Sequence, residues 1–394
     1  MSSSGFPWGA NAPPFPLGNP PNLPMNPTYN TMGNGSIVDR VPADLLHLID
    51  PFWYQFPPMN PAVNYSVGLV ALIIGIAAVS GNFVVLYVFL STRNLRTPAN
   101  MLIVNLAFSD FMMMAGMFPF LVVSCFNEVW IFGQLMCELH GFIGAWFGCQ
   151  QIWSLTLIAK DRYNVIVKGI GSKPLSFKKV ALMLFFVDGF ALAWGLVPFF
   201  GWNRYVPEGN MTVCGSDSVG TDAWSRSYIF VIWSYAYFVP LSTIIYCYFH
   251  IVKAVAAHER QMREQAQKMN VQSLRTGDDG KTSAEIRLAK VAIMTILLWF
   301  FAWTPYVVIN FMGVFYRANI TPVVTVWGSV FAKISTVYNP LVYGLSHPRY
   351  KAALNESMPC LSCIVGRPAE CDDNKSVTTQ ESSDAKRMEQ ETAA

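Results

Sequence analysis

The residue of this chain best suited to covalent chemistry is Lys333, a single amine inside the apolar run 320–343 and the only Lys or Arg between Arg317 and Arg349. An amine near the centre of a membrane helix costs about 2.5 to 3.5 kcal/mol on insertion scales, so its presence there asks for a function. A desolvated amine with a free lone pair is suited to condense with an aldehyde as a Schiff base. A protonated Schiff base is a buried cation and needs an anion or a hydrogen-bonded water network to persist. The residues that could serve it depend on how the chain crosses the membrane.

Composition places the site in a bilayer. Hydrophobic residues make up 53% of the 394 residues and charged residues 13%, and mean hydropathy is +0.34; an ordinary soluble protein carries about 25% charged residues. Apolar runs near 65–90, 98–123, 137–161, 178–201, 226–250, 289–315 and 321–345 are each long enough to cross the hydrocarbon as a helix. Arg93, Arg96, Arg162, Lys168, Lys173, Lys178, Lys179 and most basic residues of 253–290 lie in connections on one side. The positive-inside rule makes that side cytoplasmic and the N-terminus extracellular. Residues 1–60 hold 12 of the 25 prolines and are expected to be an extended outer tail with little packed core. No removable signal peptide is expected ahead of the first span. Residues 61–346 form the bundle, 347–358 a short amphipathic cytoplasmic helix, and 359–394 a disordered cytoplasmic tail.

Outer-half carboxylates available to a buried cation are Glu138 and Glu208, with Asp110 deeper. Cys137, at the start of the third span, and Cys214, in the outer loop between the fourth and fifth, share an oxidising compartment and are expected to bridge. Cys360 and Cys363 follow the amphipathic stretch 348–357 and read as palmitoylation sites; a half metal site is the weaker reading, as no second ligand pair accompanies them. Cys125, Cys149 and Cys247 are expected to pack as small apolar residues. Asn34 opens a glycosylation sequon on the outer tail, whereas the sequon at Asn64 lies too near the bilayer to be a good acceptor.

Motifs then appear in a fixed order: Gly81-Asn82, Asn105-Leu-Ala-Phe-Ser-Asp110, Asp161-Arg162-Tyr163, Trp303-Thr304-Pro305 and Asn339-Pro340-Leu-Val-Tyr343. Over about residues 60–363 the chain resembles rhodopsin-type G-protein-coupled receptors, and specifically arthropod visual opsins; Lys333, six residues before Asn339, separates opsins from other receptors of this fold. The resemblance implies an all-α fold of seven transmembrane helices with a short eighth helix. It implies a light-activated receptor, not an enzyme, holding retinal, 11-cis in the dark, on Lys333, with Trp303 and Tyr306 at the ligand. Residues Asp110, Asn339, Pro340 and Tyr343 belong to its activation switch. Asn82, Asp110 and Asn339 are polar groups in hydrocarbon and are expected to meet one another and water. Pro305 and Pro340 each delete a helix hydrogen bond and permit a bend. Asp161 and Arg162 form an electrostatic latch that protonation would release.

The counterion position found in vertebrate visual relatives, three residues after the third-span cysteine, is His140 here. It cannot supply the anion, and it departs from the tyrosine common in arthropod relatives. Glu208, six residues before Cys214, matches the family's other counterion position and is the expected anion, with Glu138 in reserve. Glu138 and His140 stand about 200° apart on a helix and cannot both face inward. Ultraviolet-sensitive arthropod relatives carry a lysine where Met117 stands, so a visible-absorbing pigment is expected. Asp188 in the fourth span is expected to hydrogen-bond a neighbouring span. The charged stretches 258–270 and 284–290 resemble the inner loop of opsins that couple to Gq, and His347-Pro348-Arg349 is close to the motif of the same group. Ser376, Thr378, Thr379, Ser382 and Ser383 among acidic residues suit a receptor kinase and arrestin. Membrane lipid is a partner and nucleic acid is not. The rival readings are a retinal photoisomerase of the same fold, a diffusible-ligand receptor in which Lys333 pairs with a carboxylate, and a light-driven pump.

Overall fold

The architecture, taken from a computed structural model that describes residues 35–171, 173–268, 277–346 and 348–361, is a helical bundle. Its helices are α1 (Pro61–Ser91), α2 (Pro98–Phe126), α3 (Gly133–Val167), α4 (Phe177–Leu196), α5 (Ala223–Trp233), α6 (Val239–Lys268), α7 (Gly277–Tyr316), α8 (Pro322–Lys333), α9 (Ser335–Ser346) and α10 (Pro348–Ser357). Helix starts follow local chemistry. Asn60, Thr97 and Thr321 each accept a backbone N–H of the first turn and are each followed by a proline at the first helical position, where its missing N–H removes nothing from the helix.

Among the described residues six helices are long and apolar enough to cross a membrane. The fifth crossing joins α5 to α6 through one wider π turn at Ser234–Phe238, just ahead of Pro240. The seventh is α8 and α9, interrupted at Ile334. Pro340 permits a bend, yet it lies inside α9 and the interruption falls earlier, at Ile334. Two facts explain this. Pro340 cannot donate to the carbonyl of Thr336, and Asn82 Nδ2 donates to that carbonyl instead, at 2.9 Å, so the lost bond is replaced by a neighbouring helix. At the break, Ser335 Oγ donates to the Ala332 carbonyl and Thr336 Oγ1 to the Lys333 carbonyl, at 2.8 and 2.7 Å. These hydroxyls add side-chain bonds to backbone oxygens at the turn, where the Ile334 N–H also reaches the Ala332 carbonyl.

The outer face departs from expectation. Residues 35–60 are not an extended tail. They form three short 3-10 turns, Ile37–Arg40, Leu46–Leu48 and Pro51–Gln55. Val38, Leu45, Phe52 and Trp53 bury against Val129, Trp130, Cys214, Ile309 and Ile320. Arg40 pairs with Glu128, and Arg317 pairs with Asp50 at 3.3 Å while lying over the Phe52 ring. Proline there sets turns, and the apolar residues between the prolines supply a cap on the bundle.

Beneath that cap β1 (Tyr205–Glu208) pairs antiparallel with β2 (Val213–Ser216), Glu208 opposite Val213. Gly209 and Met211 take positive φ in the turn between them. The Cys137–Cys214 disulfide fastens β2 to the start of α3. On the other face α6 and α7 run well past the apolar segments, and α10 buries Tyr350, Ala353 and Leu354, with the Tyr350 ring stacked on Phe89.

Candidate functional site

Below the hairpin the bundle holds a cavity whose empty space, counted out through its open mouth, is about 830 Å³. Its floor and one wall are glycines of α3, Gly141, Gly144 and Gly148, which share a helix face. A side chain at Gly148 would press on the Trp303 ring and one at Gly144 on Met117. Opposite stand aromatic residues Trp233, Trp299, Trp303 and Tyr306, with Trp299 and Trp303 stacked at 5.2 Å. The space is largely apolar and walled by aromatic residues.

Lys333 enters at the last turn of α8 and is 8% exposed. Its Nζ donates to Ser329 Oγ at 2.8 Å and toward the Ser329 carbonyl at 3.3 Å. Ser329, one helical turn earlier, was not singled out in the sequence; the i, i+4 spacing of a hydroxyl and an amine is the signal that could have found it. Glu208, 4% exposed, closes the same cavity from the hairpin. Tyr306 donates its hydroxyl to Glu208 Oε1 at 3.0 Å. Burial pushes the Glu208 carboxyl up to about 7, against the opposing pull of the Lys333 charge and the Tyr306 hydrogen bond.

Glu138 and Glu208 are thereby separated. Glu138 is half-buried on α3, accepts from Gln134 Nε2 at 2.7 Å and does not line the cavity. His140 points inward and is 1% exposed. Its Nδ1 lies 2.9 Å from the Cys214 carbonyl; a carbonyl only accepts, which assigns the proton to Nδ1. The ring meets Trp130 edge-on at 5.2 Å. His140 therefore ties α3 to β2 beside the disulfide. Met117 is buried and lines the cavity.

Deeper in the bundle, Asn339 Nδ2 donates to Asp110 Oδ2 at 2.5 Å. Asn82 does not join that pair directly. Its Nδ2 serves the carbonyls of Ala78 and Thr336, because the proline-freed carbonyl lies on its side of α9. Trp303 Nε1 donates to Ser335 Oγ at 3.1 Å, connecting the cavity wall to the break in the seventh crossing. Asp188 accepts from Asn105 Nδ2 at 3.3 Å, the expected bond to a neighbouring span. At the inner face Arg162 pairs with Asp161, and both line a second cavity with Asn100, Leu155, Leu288 and Thr295. Tyr163 packs near Tyr246 and His250. Cys125, Cys149 and Cys247 are buried free thiols, Cys360 is exposed, and Asn64 is 1% exposed, which removes its sequon from reach. Asn34, His347, Cys363, the tail beyond 361 and the Tyr343 side chain lie outside the described residues.

A family model, the seven-transmembrane receptors of the rhodopsin family, matches residues 81–343. The chain belongs to this family. Within it, arthropod opsins are close: Opsin-1 of Manduca sexta is 56% identical over 338 residues, covering 86% of this chain and 89% of the relative. Opsin Rh6 of Drosophila melanogaster is 53% identical over 363 residues, covering 91% and 98%. The crystal structure of squid rhodopsin superposes with a TM-score of 0.77 at 36% identity, covering 83% of this chain and 94% of that one. This rhodopsin-family chain is an integral multi-pass membrane receptor of the visual-opsin type and not an enzyme.

Proposed function

We propose that this receptor is a visual pigment of photoreceptor cells that holds retinal, 11-cis in the dark, on Lys333 as a protonated Schiff base with Glu208 as counterion. The observation that carries this is that a buried amine and a buried carboxyl line one largely apolar cavity. Retinal, when bound, supplies the aldehyde that condenses with the amine and a polyene that isomerises on absorbing light. The chain's own residues do the rest. Ser329 orients Lys333 Nζ, Tyr306 orients Glu208, and the aromatic wall around Trp303 excludes water and is displaced when the cavity's contents change shape. Since Trp303 is bonded to Ser335, that displacement reaches the break above Pro340 and the Asp110–Asn339 pair. Only interactions that differ between two bundle arrangements shift their populations, and these bonds are candidates for that difference. Met117, apolar and at the cavity, leaves no competing cation beside Lys333 and supports a visible-absorbing pigment.

With the N-terminus extracellular, the Asp161–Arg162 cavity and the ends of α6 and α7 face the cytoplasm and receive a Gq-type G protein. A receptor kinase and arrestin act on the serine- and threonine-rich tail, and lipidation at Cys360 and Cys363 holds α10 to the bilayer. The test is expression with 11-cis-retinal. A visible band that Lys333→Ala abolishes, and that borohydride converts into a retinyl adduct fixed on the chain, supports the reading, and its absence from the folded protein sinks it. Light-dependent nucleotide exchange on Gq separates the receptor from a retinal photoisomerase, which would absorb but not couple.

A further inference from the structure

We infer that Gly215 is the positioning residue for the Glu208 carboxylate: the hydrogen it carries in place of a side chain vacates the volume that Glu208 Oε1 occupies. The inference rests on the reading of Glu208 as counterion for its functional meaning, though not for its geometry.

Register puts Gly215 opposite Val206, two residues before Glu208 on the same strand and so on the same face of the hairpin. Gly215 and Glu208 are therefore diagonal cross-strand neighbours, a separation that a long side chain spans. Both line the cavity. A Cβ built on Gly215 would overlap Glu208 Oε1, with the carboxyl carbon next at 2.6 Å. That oxygen is the one to which Tyr306 donates. The glycine is not there for backbone freedom, because the positive-φ glycines among the described residues are Gly35, Gly133, Gly169, Gly201 and Gly209. What Gly215 contributes is empty space at one carboxylate oxygen.

The direction of the response follows from what lies against the added methyl. The overlapping atoms are the far end of a flexible side chain, not backbone. In Gly215→Ala the hairpin and its disulfide can persist while the carboxylate swings away, losing the Tyr306 hydroxyl and changing its distance from Lys333. The charged and titratable groups acting on Glu208 are Lys333, Tyr306 and Asp217.

Infrared spectroscopy of the retinal-free protein reads the placement directly. The Glu208 carboxyl band is identified by its loss in Glu208→Gln, and in Gly215→Ala it should shift in frequency and in pH midpoint. Gly189→Ala, where an added Cβ meets nothing within 4 Å, should leave it in place. An unshifted band in Gly215→Ala overturns the inference whatever Glu208 does for the chromophore. In the retinal-loaded protein, Gly215→Ala should shift the Schiff-base pKa away from that of the parent. The same substitution in a Glu208→Ala background should add no further change, since the atom it displaces is gone; a shift that persists there also overturns the inference. If Glu208→Gln leaves the visible band and its titration untouched, the counterion reading fails, and the infrared shift still decides the placement. Should Gly215→Ala fold poorly, Glu208→Ala/Gly215→Ala must restore monodisperse protein, and failure to do so overturns the inference.

Discussion

Glu208 stands where a strand, a helix end and a cavity converge, and its environment makes its protonation part of the fold. Its carboxyl is raised from the ordinary 4.5 to about 7 by burial. A group whose folded pKa lies above its unfolded value stabilises the fold below the unfolded value, and that contribution is lost as pH rises through the folded value. Thermal stability of the retinal-free receptor should therefore fall as pH is raised from about 4.5 to about 7, and this slope should flatten in Glu208→Gln. A slope unchanged by the substitution would assign it to other groups. Tyr306→Phe removes the hydroxyl that donates to Glu208 Oε1; a hydrogen bond to a charged group contributes about 1.5 to 3 kcal/mol. The carboxyl of the variant should titrate higher than in the parent, and a lower midpoint would contradict the bond's role in holding the ionised form.

At the scale of the element, the seventh crossing carries both the reactive amine and the weakest helical continuity. Lys333 ends α8, Ile334 breaks the helix, and the backbone oxygens nearby are taken by Ser335, Thr336 and Asn82. Asn82 is 0% exposed and its bond to Thr336 replaces the one Pro340 cannot make. Asn82→Ala leaves a buried carbonyl unpaired, which costs about 1 to 3 kcal/mol. Its melting temperature should drop, with the loss larger than in Ser80→Ala, whose hydroxyl bonds only within its own exposed turn. Equal losses would mean that the Thr336 carbonyl does not depend on Asn82 for its partner. The glycine face of α3 works in the opposite way, through absent side chains that let Trp303 and Met117 approach the cavity.

At the scale of the whole molecule, the outer cap packs over the hairpin and outer loops that lie above the cavity. Trp53, 2% exposed, and Leu45, 0% exposed, are anchors of that cap on the hairpin and the outer loops. Trp53→Ala should destabilise by about 3 to 5 kcal/mol, the range for truncating a buried aromatic residue. It should also speed the dark reaction of the loaded pigment with hydroxylamine, a water-borne nucleophile that must pass the cap. A variant that is destabilised yet no more reactive would make the cap a structural anchor and not a barrier. The ion pairs Arg40–Glu128 and Arg317–Asp50 add tethers of smaller worth, because partly exposed pairs are screened by salt.

Much of the fold and the site was legible in the residue order. Uniform apolar runs need lipid, helices are the form that satisfies their backbone there, and one amine in the last run has no cheap structural use. The motifs Asp161-Arg162 and Asn339-Pro340, the cysteines 137 and 214, and the amphipathic α10 could be read for the same reason: each is chemically costly or covalently distinctive where it stands. The family resemblance already favoured Glu208 over Glu138, and the tertiary structure adds that Glu208 lines the cavity with the amine while Glu138 does not. Helical periodicity separates Glu138 from His140 but says nothing of a loop residue such as Glu208, whose place depends on a two-stranded hairpin, a disulfide and a glycine across the strand. Tertiary structure alone decided that residues 35–60 pack, since their apolar residues have no helical or strand period and find their partners only on the assembled outer face. The break at Ile334 likewise could not be read locally, because the bond that keeps Pro340 inside a helix comes from Asn82, more than 250 residues away in the chain.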